Sequence, residues 1–255
     1  MKIPAKVKVF LFFVAMFLGQ ASMAFAQRGE PGQPLSRPLV LLLVLASLGM
    51  VPFIAVMVTS FVKIVVVLSL IRTALGTQQI PPNQVITGLA FILTIYVMMP
   101  VGLQIKAQVG DLIQKQVGKE LVSNASMDLL LKGIEKGREP LRDFLLKHAG
   151  LKERDMFYDI AKRMRTPEQR EDLTPKDFSV VVPSFVITEL KEAFQIGFLI
   201  FLPFLVIDMV VANILLALGM FQLSPITVSL PFKLLLFVLV DGWFLITQGL
   251  MLGYA

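Results

Sequence analysis

Four long apolar runs, separated by two short turns and one long polar region, set the pattern of the chain after its first 38 residues. The first run, Leu39–Ile71, carries one charge, Lys63. Built as a single helix it would be about 50 Å long, against a hydrocarbon core of about 30 Å. Pro52, with Gly49 just before it, offers a kink or break. A turn is predicted over Arg72–Gln84, where Gly76 can end a helix and Pro81-Pro82 cannot continue one. Val85–Ile105 is the second run, uncharged and of spanning length, with Gly88, Pro100 and Gly102 inside it. The third, Pro183–Gly219, has Glu189, Lys191 and Glu192 near its start and Asp208 in its middle, and is interrupted by Gly197 and Pro203. After a turn at Phe221–Pro225 comes the fourth, Ile226–Ala255, with Pro231, Lys233, Asp241 and Gly242.

The region from Lys106 to about Val182 differs in kind. Charges are dense, and apolar residues return at helical spacing: Leu141, Phe144, Leu145 and His148, then Phe157, Ile160, Ala161 and Met164. Gly150 is placed as a helix stop. Thr166-Pro167 and Thr174-Pro175 each read as an N-cap followed by proline at the first helical position, with Gln169 and Asp177 where a capping partner would sit. The predicted fold class is all-α, with four long Pro/Gly-broken hydrophobic segments arranged as helical hairpins. A small soluble helical domain is expected between the second and third. The expected division is 1–26, 27–38, 39–106, 107–182 and 183–255.

Residues 1–26 read as a cleavable signal peptide. Lys2, Lys6 and Lys8 precede the apolar core Val9–Gly19, and Ala24 and Ala26 supply the small residues before a cleavage point at Gln27. Gln27–Arg37 reads as a flexible arm. Cleavage would deliver the new N-terminus outside the cytoplasm. Four crossings would then place the soluble domain and both mature termini on that same side.

Composition narrows the chemistry. The chain is 56% hydrophobic and 16% charged, where a soluble domain has about 45–50% apolar and about 25% charged residues. Lipid or an apolar assembly must therefore cover much of its surface. There is no cysteine and a single histidine, His148. Disulfides and cysteine nucleophiles are excluded, a zinc site is not expected, and no Ser-His-Asp arrangement, phosphate loop or HExxH motif is present. No enzyme, cofactor or metal is predicted. Removing the three leader lysines lowers the net charge from +6 to +3, and no basic stripe interleaved with aromatics suggests nucleic acid.

The charges within apolar runs are informative, because one at the bilayer centre costs at least about 2.5–3.5 kcal/mol. Lys63, Asp208, Lys233 and Asp241 are of this kind. Lys233 and Asp241 are eight apart, which places them on one helix face without direct pairing. Three readings stay open: snorkelling near segment ends, which suits Lys233; pairing between subunits; and a proton or ion relay. Glu189, Lys191 and Glu192 either link subunits or end a solvated helix. From the residues alone, a small ion-coupled transporter working through Asp208 and Asp241 stands beside a structural pore subunit.

Ser60–Val85 (SFVKIVVVLSLIRTALGTQQIPPNQV) resembles the signature of the FliP/SctR (YscR) family of type III export-apparatus membrane proteins. So do Glu189–Met220 (ELKEAFQIGFLIFLPFLVIDMVVANILLALGM) and Ser224–Ile246 (SPITVSLPFKLLLFVLVDGWFLI). The resemblance covers the chain from about Leu39 onward, and SFVKIVVVLSL and SPITVSLPFK look closer to the injectisome branch than to the flagellar one. It implies a pentameric ring that joins FliQ/SctS-family and FliR/SctT-family proteins in an export gate. It further implies FlhA/SctV- and FlhB/SctU-family components as neighbours and exported proteins in transit. The implied location is the bacterial inner membrane, within the basal body, with the soluble domain periplasmic and the hydrophobic segments raised from the bilayer plane. Lys63, Arg72, Glu189, Lys191, Asp208, Lys233 and Asp241 are expected as inter-subunit or intramembrane charges. By the same resemblance Met220, Phe221, Gln222 and Leu223 match a methionine-rich pore gasket, of which only Met220 keeps the sulfur.

Overall fold

A computed structural model of the chain describes residues 37–77, 80–114 and 124–254. The leader, with Ala24, Ala26 and Gln27, and the arm up to Ser36 lie outside the described residues. All regular structure within them is helical: α1 (Arg37–Met57), α2 (Phe61–Leu75), α3 (Asn83–Gln114), α4 (Asn124–His148), α5 (Leu151–Met164), α6 (Pro167–Glu171), α7 (Phe178–Ala217), α8 (Pro225–Leu239) and α9 (Gly242–Leu252). Two compact units divide at Val51 and Pro52. The described part of the first, residues 37–51, is helical and exposes Leu42, Leu45 and Met50. The second unit holds everything that follows.

The first apolar run does break, but not at its proline. Pro52 lies inside α1, and the interruption falls at residues 58–60. The resulting α2, about 22 Å long, is too short to cross a bilayer. Gly76 ends it as expected: its φ of 77° is left-handed, and its N–H donates to the Thr73 carbonyl at 3.1 Å.

α2 is the centre of the second unit. Ile64, Val67, Leu68, Ile71, Ala74 and Leu75 are buried against α3, α7 and α8, where Ala90, Ala193, Phe204 and Phe237 complete the core. Several hydroxyls in this greasy setting are satisfied locally. Ser69 and Thr73 donate to the carbonyls four residues back at 2.7 and 3.0 Å, and Thr94, Thr188 and Thr247 do the same. A second core gathers Val101 of α3, Phe144 and Leu145 of α4, Val181 and Phe185 of α7, and Tyr254.

α7 is a continuous 40-residue helix. Gly197 and Pro203, expected to interrupt the third run, are absorbed within it, as is Pro183, where that run was expected to begin. Proline removes one N–H and frees one carbonyl, yet the helix continues because the flanking turns stay hydrogen-bonded. Likewise α3 runs through Pro100 and past Lys106, and α7 starts before Pro183. The boundaries drawn at 106 and 182 thus fall inside helices. The fourth run is broken at Val240–Asp241, where α8 and α9 meet at 60°. Asp241 is left-handed at φ 50°, so Lys233 and Asp241 do not share a helix face. An eight-residue spacing gives a common face only along one straight helix, which the bend removes.

In the polar region the Leu141–His148 face packs as the spacing predicts, with Phe144 and Leu145 buried. Gly150 starts α5 rather than capping α4 in the left-handed region; its N–H donates to Thr188 Oγ1 at 2.9 Å. The apolar stripe of α5 is present but largely uncovered, with Ile160 and Met164 exposed. Pro167 opens α6 as expected. Thr174-Pro175 opens no helix, because the Asp177 carboxylate accepts from the Thr174 N–H and hydroxyl, closing a turn before α7.

α3 (through Gly110) and α7 are long and apolar enough to cross a membrane, and α8 with α9 makes a third span if the bent pair is counted as one. On all of them large apolar side chains stand exposed, among them Phe91, Phe198, Leu199 and Leu235.

Candidate functional site

Two buried lysines organise the polar interior, and both sit at ends of α2. Lys63 lies in the first turn, where a cation is disfavoured by the helix dipole and needs an anion nearby. α7 supplies two, spaced i and i+3 on the face turned to α2. Lys63 Nζ stands 3.0 Å from Glu189 Oε1 and 2.6 Å from Glu192 Oε2. Glu189 is 0% exposed, whereas the Glu192 side chain is 45% exposed. Tyr254, two residues beyond α9, donates its hydroxyl to Glu189 Oε2, and Lys63 Nζ lies 4.4 Å from the centre of its ring. Phe144 and His148 of α4 face that ring at 6.2 and 5.0 Å between centroids. Burial, with Lys147 and Lys63 nearby, lowers the His148 pKa to about 4, so the imidazole is neutral at physiological pH.

Lys233 of α8 reaches the other end of α2. Its Nζ donates to the Ala74 carbonyl at 3.3 Å and to Asp208 Oδ2 at 2.6 Å, while Ser229 donates to Asp208 Oδ1 at 2.5 Å. A cation at a helix C-terminus meets carbonyls that lack intrahelical partners. Lys233 is buried rather than snorkelling, with its side chain 3% exposed against 28% for Asp208.

The remaining expected charges separate. Arg72 donates to Asn83 Oδ1 across the turn between α2 and α3. Lys191 is 3.0 Å from Glu153 of α5. Asp241 stands exposed at the α8–α9 bend and makes no ion pair among the described residues. No hydrogen bond joins Asp208 to Asp241 among those residues; Asp208 is held instead by Lys233 and Ser229.

Met220, Phe221, Gln222 and Leu223 form the exposed turn between α7 and α8, with Phe221 77% exposed. Its shape is set by Gly219, left-handed at φ 70°. The Met220 N–H donates to the Leu215 carbonyl at 2.9 Å and the Gly219 N–H to that of Leu216 at 3.0 Å, a Schellman ending that turns Met220 away from the helix.

Sequence reasoning missed Tyr254, Ser229 and Glu153. A signal existed for the first: a tyrosine in an apolar run, once buried, needs a partner for its hydroxyl. No comparable signal marked the other two, whose partners lie 21 and 38 residues away in the chain.

The FliP family profile matches residues 44–250 of the chain. The Yop proteins translocation protein R of Yersinia pestis is 47% identical over 214 residues, covering 84% of this chain and 95% of that protein. The hypersensitivity response secretion protein HrcR of Ralstonia nicotianae is 43% identical, covering 84% and 96%. The flagellar biosynthetic protein FliP of Bacillus subtilis is 45% identical, covering 84% and 90%.

Proposed function

The chain belongs to the FliP family, and from that membership we propose that it is a core subunit of a type III export gate, forming a ring-shaped pore through which unfolded proteins are exported. The observation that carries this reading is the match across nearly all of residues 44–250 to translocation, secretion and flagellar biosynthetic proteins. Membership makes the chain a component of a type III export apparatus. Identities of 47% and 45% to an injectisome and a flagellar relative do not separate the branches, and the SFVKIVVVLSL and SPITVSLPFK segments favour the injectisome.

The physical features fit a subunit that is completed by neighbours. α7 alone is about 60 Å long, twice the hydrocarbon thickness, and its exposed apolar face cannot all lie in lipid. A ring of copies, five by resemblance, would cover that surface and leave Asp241 to meet a neighbouring subunit. FliQ/SctS- and FliR/SctT-family proteins would complete the gate, beside FlhA/SctV- and FlhB/SctU-family components. We place it in the inner membrane, with four hydrophobic segments and with residues 107–182 and both mature termini facing the periplasm. The chain has a structural role here, without catalysis of its own.

Native mass spectrometry of the gently extracted complex, co-expressed with the two small partners, tests this. The expected species holds several copies of a chain beginning at Gln27. A monomer, or a dimer indifferent to those partners, would return the ion-coupled transporter to the front.

Met220 and Phe221 are proposed to close the pore by packing and dewetting, since both are bulky, apolar and presented on a turn. Met220→Ala with Phe221→Ala should make cells leak small solutes, read as dye uptake or loss of potassium. Unchanged permeability in an assembled complex would remove the gasket assignment.

A further inference from the structure

α9 has little apolar hold on the fold. Of its eleven residues only Gly242 and Leu250 are buried, while Trp243, Phe244, Leu245 and Leu252 are exposed. Yet it leaves α8 at a defined 60°. The near end is fixed by close packing: a Cβ on Gly242 would stand 2.3 Å from the Phe237 ring, so only glycine lets that ring lie against the bend. The far end is fixed by Tyr254, whose side chain enters the second core between α4 and α7.

We propose that Tyr254 is the clasp of α9, holding the bent α8–α9 pair through its hydroxyl bond to Glu189. The bond ties three parts of the second unit together at one point. Glu189 comes from α7, Lys63 from α2, and the ring is flanked by Phe144 and His148 of α4. A charge-assisted bond inside a buried site is stronger than a neutral one, and beside it only the Lys63 ammonium, 4.4 Å from the ring centre, adds a polar hold at this end of α9 among the described residues. Tyr254 is thus a positioning residue: through Glu189 it decides where α9 lies, and with it the exposed face that α9 offers to lipid or to a neighbouring chain. The clasp is independent of pore closure at Met220–Leu223, since it lies at the other end of the α8–α9 pair.

Amide hydrogen exchange on the full chain, purified in its native assembly, tests the clasp. Tyr254→Phe keeps the ring and removes only the donor. It should speed exchange over residues 243–254 by about tenfold to a hundredfold, leaving α2 and α3 unchanged. Glu189→Gln keeps an acceptor for the hydroxyl and should hold α9 exchange closer to wild type than Tyr254→Phe does. Wild-type exchange of α9 in Tyr254→Phe would overturn the proposal. So would an increase spread equally over α2, α3 and α9, which would make the bond a general support of the fold.

Discussion

Replacing Lys63 with methionine should cost about 3–5 kcal/mol of stability, because it leaves a buried carboxylate without its cation. Methionine approximates the volume of the lysine stem, so packing against α7 is kept and the charge is what is lost. Glu189 has no route to water, and the Tyr254 hydroxyl alone cannot neutralise it. Glu192 is different: at 45% exposure it can turn to solvent and remain ionised. The double replacement Lys63→Met with Glu189→Gln should therefore recover a large part of the loss. Unfolding midpoints of the purified chain in mixed detergent micelles would read both. A double variant as unstable as the single would mean that the lost stem contacts, and not the orphaned charge, caused the effect. The corresponding Lys233→Met change should cost less, since Asp208 keeps the Ser229 hydroxyl and is 28% exposed.

Gly197→Leu should be nearly as damaging, about 1–3 kcal/mol or somewhat more, through overpacking. At this glycine α7 packs directly against Leu70 of α2. A Cβ there would lie 2.2 Å from Leu70 Cδ1 and 3.2 Å from its Cβ and Cγ. The terminal methyl can rotate away from an alanine, but a leucine must push the two helices apart, and the Lys63 pairs lie along the same contact. Gly102 of α3 is the control, because nothing lies within 4 Å of a Cβ built there. Gly102→Ala should be neutral or stabilising by up to about 1 kcal/mol, as expected for replacing glycine within a helix. Thermal unfolding of the detergent-solubilised variants separates the two. If Gly197→Leu melts with wild type, α2 and α7 do not hold this close approach in the folded protein.

Much of this was legible beforehand because it depends on local pattern. Apolar runs of spanning length need only a count, and Gly76 needs only a φ that other residues resist. The Ser60–Val85, Glu189–Met220 and Ser224–Ile246 segments were long and ordered enough to point to the family that the profile over residues 44–250 shows. A turn at Phe221–Pro225 could be placed from the residues, whereas Met220–Leu223 were singled out by the resemblance alone. Proline was the least reliable guide. Pro52, Pro183 and Pro203 all sit inside helices, because the turns around a missing hydrogen bond can hold it when the segment has no better alternative. The break at 58–60 carries no such mark.

What the sequence determined by itself was therefore the class of protein: helical, membrane-directed in composition, of the FliP family, with unusual charges buried in apolar runs. What only the tertiary structure decided was which charges meet. Lys63 finds Glu189 across 126 residues of chain and Tyr254 closes on the same carboxylate, while Asp241, eight residues from Lys233, stands at a bend without an ion pair among the described residues. Pairing energy depends on distance in space and on the water excluded around the pair. Neither quantity is written along the chain until α2, α7 and α9 have packed.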